Sequence, residues 1–165
     1  FENIKKPLLL EVCATTLPQM AIPRIYDYPE FENWITFYRS KLEATSNTIC
    51  EILGKVPGLK TNPIKGAFYI MNIFDKGKLK KNQTLPIANK NVKNFIEELT
   101  KKRVLPLDKR FTYYLLASTG ICVVPATDFE AEFFGFRVTS LEFSKSKLVE
   151  TYSKLSSAIQ EYLAF

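Results

Sequence analysis

Apolar residues at Phe31, Trp34, Ile35, Tyr38, Leu42, Ile49, Ile52 and Leu53 recur at helical spacing, and Gly54 with Pro57 supplies a stop, so the pattern predicts one long helix. Gly66 to Phe74 is short, aromatic and β-branched, as a strand should be. Lysines and turn formers from Asp75 to Lys81 make a loop, after which Val92, Phe95, Ile96 and Leu99 predict a second helix ending near Arg103. A third helix is expected from about Lys109 to Thr119, with Gly120 where a left-handed residue is wanted, followed at once by a strand from Ile121 to Val124. A last strand from about Phe136 to Leu141 alternates, putting Phe136 and Val138 on one face and Arg137 and Thr139 on the other. Ser144 then caps a final helix whose stripe holds Leu148, Val149, Tyr152, Leu155, Ile159, Tyr162 and Leu163.

Residues 1–30 carry Pro7, Pro18, Pro23 and Pro29, a density that favours an extended, irregular lead-in over a helix. The order α, β, α, α, β, β, α predicts an α/β (α+β) fold. Its architecture is a two-layer sandwich, a small and mostly antiparallel sheet of about three strands covered by helices and preceded by the long helix. At 165 residues this is one domain's worth of chain. No apolar run approaches the ~20 residues that a membrane span needs, and Leu8-Leu9-Leu10 follows no cleavable signal pattern. A cytoplasmic protein is expected. The opening on Phe1 rather than Met reads as a piece of something longer.

Composition narrows the chemistry. The chain has no histidine, which excludes Ser-His-Asp and Cys-His pairs and histidine-bearing zinc sites. The cysteines, Cys13, Cys50 and Cys122, are far apart and odd in number, so each is expected as a buried small hydrophobe rather than part of a disulfide framework or a metal site. The net charge of +6 is concentrated: residues 75–110 hold nine lysines and two arginines against four acids, a basic, insert-like segment. Its Lys76-Gly77-Lys78-Leu79-Lys80-Lys81-Asn82 start has no interleaved aromatic for base stacking, and it reads as a solvated loop rather than a nucleic-acid footprint.

The candidate chemistry lies in Thr119-Gly120-Ile121-Cys122-Val123-Val124-Pro125 and, twelve residues on, Arg137. A helix ending at a glycine, a short β-branched strand and a second strand bearing one arginine would hold a guanidinium on rigid backbone. Its planar fork can grip both oxygens of a carboxylate, which a lysine cannot copy. These residues, together with Pro57-Gly58, Asn62-Pro63-Ile64-Lys65-Gly66-Ala67-Phe68-Tyr69 and Leu115-Leu116, resemble collinear segments of alanine aminotransferases, enzymes of the fold type I pyridoxal-phosphate superfamily. Cys13 and Gln19 keep the spacing of a further family pair without all of the glycine and prolines between them.

The resemblance implies that residues 1–165 are the C-terminal small domain of such an enzyme. It implies that Arg137 binds the substrate α-carboxylate, and that pyridoxal 5′-phosphate is held mainly by a large domain preceding this sequence. The Schiff-base lysine would lie there too, so this chain alone is expected to be inactive. Amino-acid and 2-oxo-acid substrates and a homodimer are further expectations. Ala126-Thr127-Asp128-Phe129 departs from the glycine-rich stretch of the family, so the loop beside Arg137 is remodelled and a preference for alanine is in doubt.

Plainer readings stand beside these. Arg137 could pair structurally with Glu142 or Glu132, Tyr69 and Cys122 could be packing residues, and Ser144-Lys145-Ser146-Lys147 reads as a helix cap rather than an acyl-enzyme motif. A catalytically inert stand-alone interaction domain, or an RNA-binding domain, is the alternative function. Phe133-Phe134-Gly135-Phe136-Arg137-Val138-Thr139 has a faint likeness to an RNA-recognition strand, but the order of elements does not suit one.

Overall fold

In a computed structural model, residues 15–102 and 104–164 are described; they form five α-helices and a four-stranded antiparallel sheet. The chain divides into two compact units, residues 1–40 and 41–165.

In the first unit, helix α1 (Thr16–Tyr26) stands where an extended lead-in was expected. Two of the segment's prolines are placed so that they cost little. Pro18 lies in the first turn, where the N–H has no intrahelical partner to lose, and Pro29 comes after the helix has ended. Pro23 is inside the helix, but its carbonyl still accepts from Asp27 N–H at 2.9 Å and closes the last turn. The first fourteen residues of the lead-in, Cys13 among them, and the expected helix end at Arg103 lie outside the described residues. The chain then turns through Tyr28 and Pro29 into helix α2 (Phe31–Leu53), the predicted long helix. Its first turns carry the stacked rings of Trp34 and Tyr38, 5.3 Å apart. Leu17, Met20, Ile25, Trp34 and their neighbours leave an open apolar groove of about 650 Å³ within this unit.

In the second unit the sheet runs β1 (Leu59–Thr61), β2 (Tyr69–Phe74), β4 (Gly135–Thr139), β3 (Val124–Pro125) across its width. Strand β1 is too short to leave a periodic signature, and it is the strand the sequence reading lacks. It pairs with β2 through Leu59↔Phe74, and the buried Asn72 fastens it by accepting from the Thr61 hydroxyl at 2.8 Å. Strand β3 is shorter than the expected Ile121 to Val124 and begins later: only Val124 and Pro125 pair, with Arg137 and Phe136, and Pro125, with no N–H to donate, ends the ladder.

Helices α3 (Lys90–Lys102), α4 (Leu107–Thr119) and α5 (Lys145–Leu163) complete the unit. The inward face of the sheet offers Ile70, Phe74, Phe136 and Val138, which join Ile49 and Leu53, Phe111 and Leu115, and Leu148, Leu155, Ile159 and Tyr162 in one core. Phe111 is its hub, with ring centroids of Phe74, Phe136 and Tyr162 at 5.2, 5.6 and 5.1 Å. The predicted two-layer sandwich forms, and one face of the sheet is left without helices of this core. Tyr69, Met71, Arg137 and Thr139 stand on it, half-buried or exposed.

Three smaller expectations change. Leu79 and Gln83 are buried, and Gln83 accepts from Lys80 N–H and donates to the Lys78 carbonyl, so the lysine-rich loop is a pinned structure with its charges outward rather than a simple solvated loop. Ser144 occupies the cap position of α5, yet its hydroxyl meets Ser146 Oγ rather than a backbone N–H; Ser144 N–H instead donates to Glu142 Oε1. Cys122 is exposed rather than packed in a strand, while Cys50 is half-buried, its thiol pushed up by burial. Among the described residues, no helix is long and apolar enough to cross a membrane.

Candidate functional site around Arg137

Arg137 sits in mid-strand on β4, between β2 and β3, opposite Met71 and Val124. Strand β4 is paired on both of its edges, so the backbone that carries Arg137 has little freedom. The register depends on Gly135: a Cβ there would meet the Asn72 carbonyl oxygen at 2.3 Å, so only glycine lets β4 enter the sheet at that point. Gly120 is the second glycine that matters. Its φ of +76° ends α4, with its N–H donating to the Leu116 carbonyl at 2.9 Å, and sends the chain toward β3 as the sequence predicted.

The guanidinium itself is held by rings. Its carbon lies 4.1 Å from the Tyr69 centroid and 4.4 Å from that of Phe129, within the range of cation–π attraction to both rings. Neither Glu142 nor Glu132 pairs with it, and among the described residues no carboxylate forms a salt bridge with Arg137. An arginine on a rigid strand, half out of water and without an acid, keeps its hydrogen-bond fork for something else. Beside it, where the chain has not yet entered β3, opens a cleft of about 330 Å³ lined by Ile121, Val124, Thr139, Glu142, Thr151 and Tyr152. The Tyr152 hydroxyl donates to the Thr139 carbonyl at 2.6 Å and burial pushes its pKa up to about 12.

Phe129 had no assigned role in the sequence. It ends a one-turn 3-10 helix, Ala126–Phe129, whose position is set from α4. Asp108, fully buried in the first turn of α4, accepts from Thr127 N–H at 3.0 Å and the Thr127 hydroxyl at 2.8 Å, and from Gly135 N–H at 3.4 Å. Lys109 adds an ion pair to Asp128 at 2.7 Å, which raises the lysine pKa. The one sequence signal for this arrangement is a lone acid at a helix start, ordinarily read as a dipole partner. Phe136, the centre of the RNA-recognition likeness, is buried in the core beside Phe74 and Phe111 and offers no ring to a base.

The described residues do not fit an enclosed cofactor lysine. Every lysine whose side chain is described is exposed except Lys109, which is half-buried and engaged by Asp128.

No protein-family model matches the chain. It is 43% identical over 162 residues to an uncharacterized aminotransferase of Methanocaldococcus jannaschii, covering 98% of this chain and 37% of that protein. It is 25% identical over 147 residues to a probable aspartate/prephenate aminotransferase of Aquifex aeolicus, covering 89% of this chain and 31% of that one. The fold matches an alanine aminotransferase from Pyrococcus furiosus with a TM-score of 0.60 at 20% identity, across 99% of this chain and 33% of the other. The relatives and the structural neighbour that this chain matches along nearly its whole length are thus aminotransferases, and it spans about a third of the length of each.

Proposed function

We propose that this chain is the C-terminal, carboxylate-gripping part of an aminotransferase that moves an amino group between an amino acid, alanine in the first instance, and a 2-oxo acid such as 2-oxoglutarate. The observation that carries this reading is Arg137, fixed on the middle of a strand, flanked by two rings and left without an acid. A bound α-carboxylate would complete its hydrogen bonding with two parallel N–H···O contacts. Gripping that group fixes the orientation of the bond to be broken at Cα, which is where positional control contributes most to rate. The helix-free sheet face beside Arg137 suits a domain that closes over substrate and excludes water.

Pyridoxal 5′-phosphate would supply the electron sink for charge developing at Cα. With no described lysine suited to it, the remaining two thirds of the enzyme is where we place the cofactor and its lysine, and this chain alone is then inactive. A homodimer in the cytoplasm completes the proposal.

The test is Arg137→Ala in the complete enzyme. A loss of about 2 to 5 kcal/mol in kcat/KM for the amino donor is expected, the cost of truncating one partner of a desolvated charge pair. Kinetics equal to those of the parent enzyme would remove Arg137 from the substrate site.

A further inference from the structure

We infer that Phe129 is a positioning residue for the Arg137 guanidinium, carried into place by Asp108 through the Ala126–Phe129 turn. The inference rests on the reading of Arg137 as the carboxylate grip and adds what aims it. Of the two rings on the guanidinium, Tyr69 arrives with the sheet: it pairs with Thr139, two residues along β4 from Arg137, so its place follows from the strand register. Phe129 does not belong to the sheet. It hangs at the end of a single helical turn, with Glu130 after it in the left-handed region at φ +58°, and nearly half of its surface is exposed. A ring placed there is only half covered, and the guanidinium lies 4.4 Å from its centre.

The turn would be mobile without an anchor, and Asp108 is that anchor. Its two carboxylate oxygens take the Thr127 N–H, the Thr127 hydroxyl and the Gly135 N–H, tying the turn to the start of β4, while Lys109 holds Asp128 from the neighbouring position. Two rings, at 4.1 and 4.4 Å from its carbon, restrict how far the guanidinium can turn. All its N–H donors lie in its plane, so a ring that fixes that plane also fixes the direction from which a planar carboxylate makes two parallel hydrogen bonds. Removing Phe129 should leave the charge in place and lose the aim.

The experiment uses the complete enzyme, with KM for the amino donor and kcat measured separately for Phe129→Leu, Phe129→Tyr, Arg137→Ala and the double variant Phe129→Leu/Arg137→Ala. Phe129→Leu should raise KM about 3- to 30-fold, the reach of one partly desolvated cation–π contact, and lower kcat far less. Phe129→Tyr, which restores a ring face, should return KM to within about twofold of the parent. In the Arg137→Ala background, Phe129→Leu should add nothing. Thr127→Val, which removes one hydroxyl from Asp108, serves as a second and milder perturbation expected to move KM in the same direction. An Arg137→Ala defect with unaltered KM in both Phe129→Leu and Thr127→Val overturns the inference and leaves the carboxylate reading standing. Equal losses in Phe129→Leu and Phe129→Tyr, or additive losses in the double variant, also overturn it, since they mark a structural role. An unaffected Arg137→Ala enzyme removes the carboxylate reading itself.

Discussion

Asp108 and Thr127 are nineteen residues apart, and the carboxylate of the first takes both the backbone N–H and the hydroxyl of the second, at 3.0 and 2.8 Å. This pair joins the start of α4 to the turn after β3, and through Gly135 N–H to the start of β4 as well. Replacing Asp108 with alanine removes the acceptor and leaves behind the buried Gly135 N–H and the half-buried donors of Thr127. A buried donor without a partner costs about 1 to 3 kcal/mol, so Asp108→Ala should lower unfolding stability by about 3 kcal/mol. Urea denaturation reads this as a lower midpoint at constant slope; an unmoved midpoint would show that the turn does not hang on Asp108.

The two key glycines should respond differently to alanine. Gly120 has open space where a Cβ would go, so Gly120→Ala is charged only for a left-handed backbone, about 1 to 2 kcal/mol. At Gly135 the new Cβ would lie 2.3 Å from the Asn72 carbonyl, and the strands must separate. Gly135→Ala should therefore be the worse of the two, by at least about 1 kcal/mol, and should disturb Arg137 as well. Thermal unfolding of the two variants side by side gives the ranking, and the reverse order would refute the register argument.

Tyr152 and Tyr162 make the fold sensitive to alkali. Burial raises both hydroxyls from an ordinary 10.0 to about 12; at Tyr162 the nearby Arg110 charge partly opposes this without completing a hydrogen bond of good geometry. Between those values the unfolded chain gives up protons that the folded one keeps, so stability is fully present below about pH 10 and declines as pH rises toward 12. The decline is at most about 2 to 3 kcal/mol per tyrosine. Urea midpoints taken from pH 9 to 12, with tyrosinate absorbance recorded alongside, would show it; flat midpoints across that range would contradict it.

The same two tyrosines should part company when replaced by phenylalanine. Tyr152→Phe deletes the 2.6 Å bond to the Thr139 carbonyl at the edge of the cleft and should cost about 1 kcal/mol. Tyr162→Phe deletes a buried hydroxyl that has no hydrogen-bond partner among the described residues, and should be neutral or slightly stabilising. Calorimetric melting points of the two variants decide it.

Charge alone should not replace the guanidinium. Arg137→Lys keeps the cation but loses the planar fork and the guanidinium's contacts with the Tyr69 and Phe129 rings, so kcat/KM in the complete enzyme should fall about 10- to 100-fold. A lysine enzyme as active as its parent would show that Arg137 acts as a point charge.

What the amino-acid sequence determined by itself is what local periodicity and local turn chemistry can encode. The stripe from Phe31 to Leu53 forms its long helix, Gly120 stops α4 in the left-handed region, and alternation in β4 sends Phe136 inward and leaves Arg137 on the other face. Each of these depends on residues within one or two turns of one another. The motifs around Gly66 and Gly120 likewise pointed to the aminotransferase relatives that the chain matches. Proline density misled at α1: Pro18 falls in the first turn and Pro29 beyond the end, where proline costs little, and only Pro23 lies inside the helix. Strand β1 was missed because three residues carry no period, and it exists through pairing with β2. Tertiary structure alone decided the surroundings of Arg137. Tyr69, Phe129 and Asp108 are 68, 8 and 29 residues away from it along the chain. They meet there because the β2–β4 register and the buried carboxylate of Asp108 bring three separate elements to one place, a consequence of long-range pairing and desolvation that no local pattern records.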